Sequence, residues 1–298
     1  MRITFSASFR EAENEINRSA EQLAAAERQV SSGRRITKPS DDPSGTSAAI
    51  TDRATLGALD AYTQTADTAT SRLTVVDSTL SDVINRIIAA QTAVASGHGS
   101  ASSQSQRDAA AASLQDISDG LLGDFNAQFH GAYLLSGTLA TTPPYAKGVG
   151  GAVTSYQGNA TTVSVDVGQG RPLQVSFDGS AIAQGSDPSD IFSVLSSLVI
   201  AVKAGDSVGT NQGLDALGRA LDRATLAQTQ VGTSLRALDD ARARLSAEQL
   251  DTSAHLSKTV DANMASAITQ MSQADTAYRA ALAAFGKIGA LSLMDYVK

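Results

Sequence analysis

One stretch limits what the rest of this chain can do. Between positions 59 and 94, Leu59, Tyr62, Ala66, Ala69, Leu73, Val76, Leu80, Val83, Ile87, Ala90 and Val94 alternate in gaps of three and four without a slip. That is an a/d heptad seam, the spacing that keeps one stripe of an α-helix against a partner helix. At about 1.5 Å per residue the seam is a rod of roughly 50 Å. Such a rod cannot curl around a compact core, so it requires a partner of similar length. The far end of the chain supplies one. Leu214, Leu217, Leu221, Ala224, Gln228, Val231, Leu235, Leu238, Arg242 and Leu245 carry the same spacing. After Leu256 the phase shifts, and a second seam reads Val260, Met264, Ala267, Met271, Ala274, Tyr278, Ala281, Phe285, Ile288. A change of phase is how a coiled coil unwinds locally or changes partner. It places a domain boundary near residues 250–260, within one continuous helix.

The N-terminal end mirrors this. Residues 5–30 read as a helix in which Phe9, Ile16, Leu23 and Val30 are seven apart, with little but Ala and polar residues between them. Burying four such side chains is worth roughly 1.5–3 kcal/mol each, whereas ordering 25 residues costs about 1.5 kcal/mol per residue. The segment is therefore expected to fray alone and to fold against something else. Gly33 is placed to end this helix. Asp42 followed by Pro43 suits the N-cap and first turn of the next one, which carries the 59–94 seam and ends near Gly97 and Gly99. A turn over residues 97–103 leads to a third helix, with Ser105 and Asp108 as its capping box. Leu114, Ile117, Leu121 and Phe125 form its apolar stripe, and the pattern carries it to about residues 129–135.

From residue 136 to 185 the chain turns rich in Gly, Thr, Ser and Val. Val163, Val165 and Val167, then Leu173, Val175 and Phe177, alternate with polar residues on either side of the loop GQGRP. This is a β-hairpin pattern within a small strand-rich insertion. Asp187 and Pro188 restart a helix with Ile191, Leu195, Leu198 and Val202 on one face, and a loop over residues 205–213 leads into the partner rod. The fold class is therefore mainly α: a long antiparallel coiled coil or helical bundle formed by both chain ends, with a small inserted β-rich domain. The expected division is 1–38 with 258–298 as a terminal coiled coil for assembly, 39–135 with 188–257 as a helical rod, and 136–187 as the inserted β-rich outer domain.

Chemistry is sparse. There is no Cys, so no disulfide or thiolate metal site exists. A net charge of −7 argues against non-specific nucleic-acid binding, which needs a basic face. No apolar run approaches a membrane span, and no Sec-type leader is visible. The expectation is a soluble protein, cytoplasmic unless it is exported without a cleavable signal. The glycines at 148–151 and 168–170 lack the spacing of a phosphate loop. Residues 205–209, GDSVG, match the nucleophile-elbow pattern, with Ser207 as the candidate nucleophile of a serine hydrolase. That motif works only on a strand-to-helix turn in a parallel sheet, and helical seams flank it here, so a loop is the expected reading. His98, His130 and His255 have no metal-ligand spacing, and Asp41 with Asp42 read as helix capping. No catalytic, metal or cofactor residue is assigned. A coiled-coil signalling protein fits the rods but not the absence of a membrane span or the β insertion.

Residues 30–44, VSSGRRITKPSDDPS, resemble the LSSGxRIxxPSDDP segment shared by flagellins and flagellar hook-associated proteins, with Val30 where Leu is usual. Residues 134–145, LLSGTLATTPPY, and the ending 290–298, ALSLMDYVK, look like the hook-associated protein 3 family of the hook–filament junction, with flagellin itself as the second reading. The resemblance implies that the two thin ends pair as a terminal coiled coil lining the channel of an axial filament, with the β insertion facing outward. It implies passage through the flagellar type III export apparatus, with a chaperone before export, and an extracellular place in the flagellum. It implies hook-associated protein 1, flagellin and further copies of the chain as partners, and no cofactor, nucleic acid or membrane insertion. The terminal seams, Phe9, Ile16, Leu23, Val30, Val260, Met264, Met271, Tyr278 and Phe285, would then carry subunit assembly.

Overall fold

The computed structural model describes residues 2–98, 102–148 and 152–296, and only the backbone of 2–6, 8 and 288–296. The chain divides into two compact units, Met1–Ala58 with Ala247–Lys298, and Leu59–Ser246. Seven helices and two small hairpins are present among the described residues: α1 (Arg2–Ser32), α2 (Pro43–Gly97), α3 (Gln104–Phe125), β1 (Gln128–Phe129), β2 (Ala132–Tyr133), β3 (Ser164–Asp166), β4 (Pro172–Gln174), α4 (Gly179–Ala183), α5 (Ile191–Ala204), α6 (Ser207–Val260) and α7 (Met264–Tyr296). The protein is mainly α with a small β region, as the periodicity predicts.

In the Leu59–Ser246 unit the α2 seam is the spine of one hydrophobic cluster. Every seam residue from Leu59 to Val94 is buried except the half-buried Tyr62. The many threonines of α2 are tolerated because their hydroxyls donate to the carbonyl four residues back, as at Thr63, Thr70 and Thr79. Arg242 near the end of α6 meets Asp67 near the start of the α2 seam at 2.5 Å, so the two rods run antiparallel.

The α6 stripe differs from the sequence reading in alternate positions. Leu217, Ala224, Val231, Leu238 and Leu245 are buried as expected. Their companions are Ala220, Ala227 and Ala241, rather than Leu221, Gln228 and Arg242, which are half-buried or exposed. Both registers share the same anchor residues. The alanine register wins because burying an amide and a guanidinium without partners costs several kcal/mol.

Other boundaries move for local reasons. The capping box of α3 is Ser103 with Gln106, two residues before the expected Ser105 and Asp108. α3 stops at Phe125 instead of running to 129–135, because Asn126 leaves the helix to exchange two hydrogen bonds with the backbone of Tyr145, and β1 and β2 follow as a hairpin turned at Gly131. α5 is capped by Asp190, not Asp187, whose carboxylate instead pairs with Arg219 and Arg223 of α6. The connection after α5 is two residues long, not nine, because Gly209 and Gly213 are helical. A side chain on Gly213 would lie 2.3 Å from Leu198, so glycine there allows α5 and α6 to approach. α6 and α7 are not continuous; the chain breaks at 261–263. The short helix α4 carried no periodic signal. The β3–β4 hairpin is as expected, with Val165 opposite Leu173.

Three aromatic residues form one buried cluster in this unit. Phe125, fully buried, meets Tyr145 and Phe192 edge-on at 5.6 Å, and Tyr145 also lies 4.8 Å from Phe192. Burial pushes the Tyr145 phenol well above its ordinary pKa. The segment LLSGTLATTPPY feeds this cluster with buried Leu134, Leu135 and Tyr145, and the Tyr156 hydroxyl donates to the Leu135 carbonyl at 2.8 Å.

Candidate assembly surface

The recognisable segment around residue 33 is a joint. Gly33 closes α1 in the left-handed conformation, φ 67°, with its N–H on the Gln29 carbonyl. The next residues pair with the break between α6 and α7: Arg35 N–H donates to the Val260 carbonyl at 2.7 Å, and Ala262 N–H to the Gly33 carbonyl at 2.9 Å, around an antiparallel Arg34–Asp261 bridge. One guanidinium nitrogen of Arg35 reaches both the Asp42 carboxylate, at 3.1 Å, and the Thr259 carbonyl, at 2.8 Å.

The two aspartates have separate tasks. Asp41 closes its own loop, accepting from the backbone N–H groups of Thr37 and Lys38 and from the Thr37 hydroxyl. Asp42 caps α2 through Gly45 N–H and the Ser44 hydroxyl. Bonds from Gly45, Ser44 and Arg35, in that order, hold the Asp42 carboxyl at a pKa of about 2; those from Lys38 and Thr37 lower Asp41. A side chain at Gly45 would lie 2.6 Å from the ends of the Asp42 and Ile36 side chains, so the capping carboxylate would have to shift to admit one. On the far side Asn263 caps α7 through Ser266 N–H. Sequence reading found the Asp42 cap but not Arg35 or Asn263, because neither breaks a periodic pattern.

Beyond this joint α1 and α7 pack on each other along their length. Phe9 meets Phe285 with ring centroids 4.8 Å apart, and the Arg34–Asp261 bridge fixes the opposite end, so the helices are antiparallel. That register sets Ile16 level with Tyr278, Leu23 with Met271 and Val30 with Met264. The pair has little core. Ser19, Ala26, Val260 and Ala267 are buried, whereas Ile16, Leu23, Val30, Met271, Tyr278 and Phe285 are only half-buried. Phe9, Met264, Ile268 and Leu282 remain 38%, 42%, 48% and 43% exposed. The side chains of Ile288 and of the 290–298 tail lie outside the described residues, as do residues 99–101 of the turn before α3 and residues 149–151.

Features suggestive of chemistry are otherwise occupied. Ser207 is the exposed first residue of α6; Gly205, φ 68°, closes α5, and Asp206 accepts from Val208 N–H at 3.0 Å. GDSVG thus spans the two-residue turn at Gly205 and Asp206 and the start of α6, with a helix rather than a strand before it. His255 Nδ1 lies 2.7 Å from Asp52 Oδ2, and the His130 ring stacks on Phe129. Among the described residues no three His, Asp or Glu are grouped to hold a metal ion, and no helix is long and apolar enough to cross a membrane.

The sequence and the fold both have relatives. Residues 5–140 match the family described as the bacterial flagellin N-terminal helical region. Flagellar hook-associated protein 3 of Escherichia coli is 25% identical over 91% of each chain, and its Salmonella typhimurium counterpart 26% identical over 94% of each. The crystal structure of flagellar hook-associated protein 3 from Legionella pneumophila superposes with a TM-score of 0.64, at 14% identity, over 70% of this chain and 97% of that one.

Proposed function

We infer that this chain belongs to the flagellin-like superfamily, in its hook-associated protein 3 branch, and is a structural subunit of the bacterial flagellum at the junction of hook and filament. One observation carries the reading: two curated relatives match it over 91% and 94% of its length and of their own, and both are hook-associated proteins rather than flagellins. The half-covered α1–α7 pair supports a role in assembly, since a two-helix unit with this much apolar surface in water is incomplete as a monomer.

In this reading residues 1–38 with 258–298 form the assembly domain, 39–135 with 188–257 the helical rod, and 136–187 an outward-facing domain. The terminal seams from Phe9 to Phe285 contact neighbouring copies. Hook-associated protein 1 lies on one side of the ring and flagellin on the other. Export through the flagellar type III apparatus, with a chaperone beforehand, brings the chain outside the cell. Function resides in surfaces, and the chain is not an enzyme. Flagellin is the less supported reading, because the relatives that match over 91–94% of this chain are named flagellar hook-associated protein 3.

Met271→Asp and Phe285→Asp test it. Each places a charge in the terminal pair, and both are expected to abolish incorporation into flagella while leaving the Leu59–Ser246 unit folded by circular dichroism. Normal incorporation of both would overturn the reading.

A further inference from the structure

The rods of the Leu59–Ser246 unit meet along a seam that is nearly blind to register. On α6 the buried Leu217, Ala224, Val231, Leu238 and Leu245 fall on one line, each seven residues from the next, and α2 answers with unbroken heptads from Leu59 to Val94. Shifting such a seam by one heptad, about 10 Å, restores most of its apolar contacts. Register is then chosen by contacts that do not repeat, usually polar ones. The Asp67–Arg242 pair is one of these. Both side chains are about half exposed, at 50% and 43%, and such a pair contributes little.

Two half-buried arginines, one on each rod, hold the same stretch of chain. Arg72 of α2 donates from Nε to the Val175 carbonyl at 3.0 Å. Arg223 of α6 donates from Nε to the Ile182 carbonyl at 3.1 Å and from Nη2 to the Ala183 carbonyl at 3.2 Å, and its Nη1 lies 2.6 Å from the Asp187 carboxylate. Gly185, φ 58°, lets the chain turn against the arginine, since a Cβ there would lie 2.6 Å from Arg223 Cδ. Between the anchors Val175, Phe177, Ile182 and Ala183 are buried in the same apolar cluster as Leu73 and Val76 of α2 and Ala224 and Ala227 of α6. With Asp67 level with Arg242, the two anchors stand roughly four turns apart along the rods, about 20 Å. The stretch therefore crosses from one rod to the other at a slant. Sliding α6 past α2 by a heptad, about 10 Å, cannot keep both sets of bonds.

We propose that residues 175–187 act as a strap that selects the register of α2 against α6, with Arg72 and Arg223 as its two anchors. The strap supplies what the seam lacks: bonds from fixed points on each rod to backbone carbonyls that occur once. It also couples the inserted segment to the rods, so that a shift of one rod against the other pulls on the strap and on the β3–β4 hairpin that runs into it. The proposal concerns the Leu59–Ser246 unit alone and is independent of what the chain assembles with.

The chain has no Cys, so spin labels can be placed cleanly at Thr74→Cys on α2 and Thr233→Cys on α6, both exposed, in the full-length protein. Their separation is read by double electron–electron resonance. The labelled parent is expected to give one narrow distance. Arg72→Gln and Arg223→Gln should each add a second, longer component, while Arg244→Gln, at an exposed arginine of α6 away from the strap, should not. Gly185→Ala leaves both arginines in place and forces the strap off Arg223, so it should add the same component and keeps the test decisive if an arginine variant does not fold. A single unchanged distance in any folded strap variant, with helicity retained by circular dichroism, overturns the proposal. So does a second component in Arg244→Gln, which would show general loosening of the rods.

Discussion

Phe125→Ala should sharply destabilise the Leu59–Ser246 unit. The ring is fully buried and makes edge-to-face contacts with Tyr145 and Phe192, both at 5.6 Å. Truncating a buried Phe costs about 3–5 kcal/mol, from lost transfer free energy and the cavity left behind. The value belongs near the upper end, because edge-on aromatic pairs contribute about 0.5–1.5 kcal/mol each beyond their area. Phe125→Leu keeps most of the volume and loses mainly those pairs, so it should cost about 1–2 kcal/mol. Phe9→Ala is the control: its ring is 38% exposed and touches one other ring, at 4.8 Å, and it should cost this unit nothing measurable. Urea unfolding followed by near-ultraviolet circular dichroism of tyrosine reads the unit directly, since Tyr145 lies in the cluster and the chain has no Trp. A shift for Phe125→Ala below about 1 kcal/mol, or one equal to that of Phe9→Ala, would show that the aromatic cluster does not anchor the unit.

Three further outcomes follow from the geometry. Gly213→Ala should destabilise by about 1–3 kcal/mol, since its Cβ would fall 2.3 Å from Leu198, whereas Gly218→Ala, with open space in the same helix, should stabilise by about 0.5–1 kcal/mol; thermal unfolding of the two side by side checks this. The joint at residues 33–45 should loosen in acid. Asp41 and Asp42 have folded-state pKa values depressed below the ordinary carboxylate value of 3.8, Asp42 to about 2. Their contribution is present above about pH 4 and lost as pH falls towards 2; amide exchange at Lys38 and Gly45, corrected for intrinsic rates, should accelerate across that window, and Asp42→Asn should remove the Gly45 component. Arg35→Ala removes the link between Asp42 and the Thr259 carbonyl, so amide exchange at position 35 and at Ala262, corrected for intrinsic rates, should quicken; unchanged exchange would make that link incidental.

How far the sequence revealed the fold depended on how much apolar contrast each segment carries. The α2 seam was legible because Leu, Val and Ile recur through its heptad positions with only Ala and one Tyr between them. In α6 the anchors were legible, but the choice between Ala227 and Gln228, or Ala241 and Arg242, was settled by the cost of burying polar groups without partners. The ends of α3 and α6 depend on Asn126, Tyr145, Arg34 and Asp261 meeting across the chain, which no local window contains. The apolar side of the terminal pair was legible as Phe9, Ile16, Leu23 and Val30.

The most direct test is electron microscopy of the purified chain, alone and with flagellar hook fragments bearing hook-associated protein 1. The account predicts protein that forms no filament alone and that caps the hook ends as a defined ring. Long filaments growing from the protein by itself would identify a filament subunit and contradict it.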